Sequence, residues 1–92
     1  MDLQTLPDSW GWEEVTTAYR QGRSGELTCE VCAIADGAYW RAEIIATAEP
    51  RTSRGVFACG KTWDAALGAA EAMAVACGMA KAREKEHAGH AT

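Results

Sequence analysis

Positive charge is scarce in this sequence: nine lysines and arginines stand against thirteen aspartates and glutamates, a formal net charge of −4. A simple duplex-binding protein usually carries a strongly basic face for the phosphates, so the balance speaks against that class. Histidine is scarcer still. The only two, His87 and His90, fall in a charged terminal stretch, which leaves the body of the chain without the base that a hydrolytic triad needs. No apolar run is long enough to span a bilayer, because the alanine-rich stretch 65–80 is interrupted by Glu71. The opening residues, Met1-Asp2-Leu3-Gln4, have neither the basic start nor the apolar segment of a secretion signal, which points to the cytoplasm. No glycine pattern follows a strand and opens a helix as a phosphate loop would. Internal repeats and low-complexity linkers are absent too.

What is present fits one small domain spanning residues 1–92, with 1–11 as an N-terminal extension and 83–92 as a flexible tail. Ninety-two residues leave no room for a second core. The composition, 48% hydrophobic and 24% charged, is that of a folded chain. Much of the apolar content is alanine. The core is therefore expected from Leu27, Val31, Ile34, Trp40, Ile44, Ile45, Val56, Phe57, Leu67, Met73 and the remaining tryptophans.

Four cysteines in a cytosolic chain read as reduced thiols. Cys29 and Cys32 have C-x-x-C spacing, but the run from Leu27 to Ile34 reads as a strand. Side chains three apart on a strand point to opposite faces, so these thiols cannot grip one ion. Cys59 and Cys77 read as small packing residues.

The clearest local signal is Asp36-Gly37 between two β-rich runs, a two-residue hairpin turn of the I′ kind. Pairing outward from it sets Ala33 against Trp40, Val31 against Ala42 and Cys29 against Ile44 on an apolar face. The other face pairs Ile34 with Tyr39, Cys32 with Arg41, and Glu30 with Glu43. Arg41 is the nearest cation for the two opposed glutamates. Upstream, Trp12 to Tyr19 reads as a strand leading into a flexible loop from Gln21 to Gly25, although a short helix also fits its spacing. Downstream, Glu49 to Gly55 reads as a loop and Val56 to Cys59 as a last strand.

Thr62 is then the N-cap of a helix, with Asp64 against its positive end. The charge-poor stretch Ala65 to Ala80 sets its length, and Trp63, Leu67, Ala70, Met73 or Ala74, and Cys77 form its core stripe. Gly68 and Gly78 each cost about 1 kcal/mol inside a helix, which implies close backbone approach by the sheet or a partner. The opposite surface, with Ala69, Ala72, Val75, Ala76 and Met79, is left apolar with only Glu71 to solvate it. The N-terminal segment and its tryptophans are the expected cover. The fold class is α+β: an antiparallel β-meander of three or four strands packed against one long C-terminal helix.

Glu30 and Glu43 face each other as a carboxylate pair, but an open polar sheet face has no apolar pocket to push their pKa values apart. The chain is read as non-enzymatic, without cofactor, metal or small-molecule substrate. In a four-strand meander the first and third connections share one end of the sheet, and the helix C-terminus returns there. That would gather Arg20, Arg23, Arg51 and Arg54 with Lys81, Arg83 and Lys85 at one basic pole, suited to phosphates or an acidic protein patch. The second candidate surface is the sheet face carrying Tyr39, Arg41 and Glu43, since tyrosine and arginine are common interface anchors.

Two resemblances arise at the helix. The run from Gly60 to Leu67, entered from a meander, is similar to the strand-to-helix junction of HicB-like antitoxins. The proline-acid stretch and the DNA-binding extension of that family are missing here. The segment Gly68 to Gly78 resembles the alanine- and methionine-rich helix of small phage-encoded anti-CRISPR proteins of the type I-F group. That resemblance implies an inhibitor that binds a host RNA-guided surveillance complex in the host cytoplasm and blocks target-DNA engagement, with guide RNA a possible contact for the arginines. The antitoxin resemblance implies instead a regulatory module that forms a homodimer through the helix.

Overall fold

The structure, a computed structural model, describes residues 3–48 and 52–83. Five strands, β1 (Glu14–Val15), β2 (Tyr19–Ser24), β3 (Leu27–Ile34), β4 (Tyr39–Ala48) and β5 (Thr52–Gly60), precede one helix, α1 (Trp63–Ala76). The strands form one antiparallel sheet in the order β1-β2-β3-β4-β5, a pure meander. The helix covers one face of the sheet, packing chiefly on β5 and β4. The α+β class holds, with one strand more than expected and a shorter helix.

The hairpin register is the expected one. Ala33 pairs with Trp40, Val31 with Ala42, Cys29 with Ile44 and Glu30 with Glu43. Its connection is longer than two residues, because the ladder stops at Ile34 and Tyr39. Ala35, Asp36 and Gly37 all hold positive φ (54°, 57° and 89°). Two successive turns close the loop, Gly37 N–H donating to the Ile34 carbonyl and Ala38 N–H to the Ala35 carbonyl, each at 3.1 Å.

The stretch 21–24, expected as a loop, is strand. Its Gly22 stands where the N-terminal segment crosses β2, and a Cβ there would lie 2.7 Å from the Trp10 carbonyl oxygen. Arg23 N–H donates to that same carbonyl at 3.0 Å. The turn itself is only Gly25-Glu26, held by Gln4, whose side chain donates to the Ser24 carbonyl (2.6 Å) and accepts from the Glu26 N–H (3.1 Å). Of the segment from Trp12 to Tyr19, expected as one strand, only Glu14–Val15 (β1) and Tyr19, where β2 begins, are strand, and between them Thr16 Oγ1 accepts from the Ala18 N–H in a turn.

The helix begins as expected, with Thr62 accepting from the Ala65 N–H. It ends at Ala76 rather than Ala80. Cys77 is the C-cap, and Gly78 takes φ 75°. The Gly78 N–H donates to Val75 O and the Met79 N–H to Ala74 O, the paired bonds of a Schellman stop. Gly78 is therefore a helix terminator, not an interior residue.

Small residues dominate the core. Leu27, Cys29, Val31, Ala42 and Ile44 from the sheet meet Ala66, Leu67, Ala70 and Ala74 from the helix, with Leu6, Trp10, Met79 and Ala80 closing the flank. Alanines let the helix approach the sheet closely. Several residues expected inside lie elsewhere. Phe57 is 53% exposed and Met73 40%, while Ile34 and Ile45 share the uncovered sheet face and Cys77 is exposed. In the helix stripe Ala74, not Met73, faces inward.

Candidate functional site

The helix covers one side of the sheet only, so alternate residues of β2 to β5 face outward together. Tyr39, Arg41 and Glu43 follow each other on this open face along β4. Cys32 and Cys59 flank Arg41; Glu30 and Phe57 flank Glu43. The Arg41 guanidinium lies 4.5 Å from the Phe57 ring centroid, a cation–π contact, instead of bridging the two glutamates. Glu30 is met by Tyr19, whose hydroxyl lies 3.2 Å from Glu30 Oε2 and from Gln21 Oε1. Desolvation and the Glu30 carboxylate push the Tyr19 phenol above its ordinary pKa. The Cys32 thiol is raised by desolvation and by Glu30, partly offset by Arg41. With Tyr39 41% and Phe57 53% exposed, the face presents aromatic rings and both signs of charge on rigid strands.

Of the described sheet arginines expected at the basic pole, Arg23 and Arg54 lie in neighbouring rows at one end of the sheet and Arg20 does not. Arg20 pairs with Val31 on the helix side of β2, its guanidinium 3.8 Å from the Trp63 ring centroid and 5.4 Å from that of Trp12. Arg23, three residues on, belongs to the open face. Arg54 donates to the Cys77 carbonyl at 2.9 Å, a cation against the negative helix end. Arg51 and Lys85 lie outside the described residues. Arg20 leaves the expected pole because β2 is a strand where a loop was expected, which sets it three rows from Arg23 and farther still from the β2–β3 turn.

One network is tertiary in origin. Glu71, expected as the solvating group of the helix, is only 8% exposed. Trp10 Nε1 donates to Glu71 Oε2 at 2.8 Å. Arg83, expected in the tail, donates through Nη1 to Glu71 Oε1 (3.1 Å), through Nη2 to Oε2 (2.5 Å) and through Nε to the Pro7 carbonyl (2.7 Å). The N-terminal segment thus covers one flank of the helix, with a bridge between Thr5 and Lys81 extending the cover. The only signal of this in the sequence is a single carboxylate in the otherwise charge-free stretch from Ala65 to Ala80.

Cys29 points into the core and Cys32 to the open face, so the C-x-x-C pair is split as its strand placement requires. Among the described residues no three histidine, cysteine or acidic side chains gather as a metal-ligating group, and both histidines lie outside those residues. Among the described residues no helix is long and apolar enough to cross a membrane. Comparison with protein-family models, curated proteins and solved structures found no match for the chain.

Proposed function

We propose that this protein is a non-catalytic, stoichiometric binding domain that docks on a protein or ribonucleoprotein through the open face of its sheet. The observation that carries the reading is the exposed cluster of Tyr39, Phe57 and Arg41, since aromatic residues and arginine dominate binding hot spots. The partner we assign is an RNA-guided CRISPR surveillance complex, on the resemblance of the helix to small anti-CRISPR proteins. In this reading the chain is an inhibitor acting in the host cytoplasm, and Glu43 and Arg41 orient the docking. Guide RNA contact runs through Arg23 and Arg41, because Arg20 and Arg54 are held by indoles and by the helix end. Co-purification with surveillance complexes of several types tests the partner. Retention on one supports it, and binding to none removes it.

A second reading is a homodimeric regulatory module. It draws on the outward strip of α1, where Ala65, Ala69, Ala72, Met73 and Ala76 are exposed. Light scattering after size exclusion separates the two, since a monomer at tens of micromolar contradicts the dimer.

A further inference from the structure

We infer that the β5 edge of the sheet is a self-association site, taken by the β5 edge of a second copy of this chain running antiparallel. This contact rests on the homodimer reading and names its central element; it leaves the open sheet face of both copies uncovered. The sheet ends in two unlike edges. β1 is two residues long, and brevity is one of the ways an edge is blunted. β5 is nine residues long and pairs one-to-one with β4, with neither bulge nor proline. Its single charge, Arg54, is turned to the Cys77 carbonyl at the end of the helix.

The ladder fixes which groups of β5 point outward. Thr47 N–H donates to the Glu26 carbonyl at 3.1 Å, so odd-numbered residues of β4 turn their backbone groups to β3 and even-numbered ones to β5. Ala42, Ile44 and Ala46 therefore share ladder bonds with Ala58, Val56 and Arg54. The N–H and C=O groups of Gly55, Phe57 and Cys59, three exposed residues, point away from the sheet. An antiparallel copy of β5 offers donors and acceptors at the same spacing. The register that overlaps the whole strand is centred on Val56. It sets Phe57 opposite the partner's Gly55 and Arg54 opposite the partner's Ala58, and no like charges meet.

A lone extended segment would satisfy this edge but leave the layer above it bare, whereas a second copy covers both. Helix α1 runs back along β5, from Gly60, where a Cβ would lie 2.6 Å from Ala66 N, to Arg54 at Cys77. Glu71 and Val75 face the N-terminal segment, so the opposite flank, with Ala69, Met73 and Ala76, overhangs the free edge. All three are exposed and none is charged, so two chains of net charge −4 can meet there. A two-fold axis at Val56 sets the two helices antiparallel and about 10 Å apart, a distance at which helices pack. A patch about 30 Å long over two layers buries roughly 1,200 Å² in total, the lower end of specific interfaces.

The test is amide hydrogen exchange of the full chain by NMR, at concentrations above and below the Kd found by analytical ultracentrifugation. The expected result is a monomer–dimer equilibrium with a Kd of about 10 µM. The Gly55, Phe57 and Cys59 amides should exchange about tenfold more slowly in the dimer than in the monomer. Gly55→Pro removes an outward N–H that has no ladder bond in the monomer, so it should weaken the dimer at least about tenfold while the monomer stays folded. Met73→Glu, which brings two like charges together across the axis, should weaken it similarly. A dimer whose three edge amides exchange as fast as the monomer's, or one that neither variant weakens, would overturn the edge contact and leave the homodimer reading standing. A monomer at about 500 µM would overturn both.

Discussion

Ala35 holds φ 54° with no glycine to ease it, at the first of three successive left-handed positions in the β3–β4 loop. An L-residue with a Cβ loses roughly 1 kcal/mol there, whereas Asp36 tolerates the region better. Ala35→Gly is therefore expected to stabilise the protein by about 0.5–1 kcal/mol, read as a higher urea midpoint at unchanged slope. A lower midpoint would contradict the strain argument. Cys29 makes a pH-dependent contribution. Burial, with the Glu71 and Glu30 carboxylates, pushes its thiol from the ordinary 9.0 up to about 12. The unfolded thiol ionises first as pH rises, so the stability it contributes is complete below pH 9 and is lost between pH 9 and 12. The loss is on the order of 1 kcal/mol per pH unit across that window. Cys29→Ala should flatten the fall in stability from pH 9 to 10.5 relative to the parent; parallel curves would show that the thiol does not titrate this way.

At the scale of elements, legibility followed how local the determinant is. The β3–β4 register could be read because a turn signal and strict alternation agree over eight residue pairs. Strand β2 could not, since Gln-Gly-Arg-Ser reads as a loop, and only the crossing of Trp10 over Gly22 explains a glycine inside that strand. The helix end was overrun because Met79 and Ala80 continue the apolar run after Gly78, and they do so to reach the core. The open-face residues Tyr39, Arg41 and Glu43 were legible from that same alternation; the Phe57 contact was not, because it needs the β4–β5 register. The Glu71 network links residues sixty-one positions apart, beyond any periodicity. Its energetics follow from burial. Removing one partner of a largely buried ion pair leaves a charge without its counter-ion, so Arg83→Ala is expected to cost about 3 kcal/mol. Thermal or chemical denaturation measures this; a loss below about 1 kcal/mol would mean the pair behaves as a surface salt bridge.

At the scale of the molecule, two layers leave two different surfaces. One sheet face is covered by the helix and by the N-terminal segment that crosses β2, and the arginines on that side are bound to indoles and to a helix end. The other face has no covering element among the described residues and carries Tyr39 and Phe57 in the open. That division moves the expected binding surface from an arginine pole to the sheet. Affinity of the parent and of Tyr39→Ala/Phe57→Ala for a co-purifying surveillance complex tests this most directly, with matched thermal stability as the control. The double variant is expected to bind about 30-fold more weakly or worse, as loss of two hot-spot rings implies. Unchanged affinity in the folded double variant would contradict docking through the sheet face.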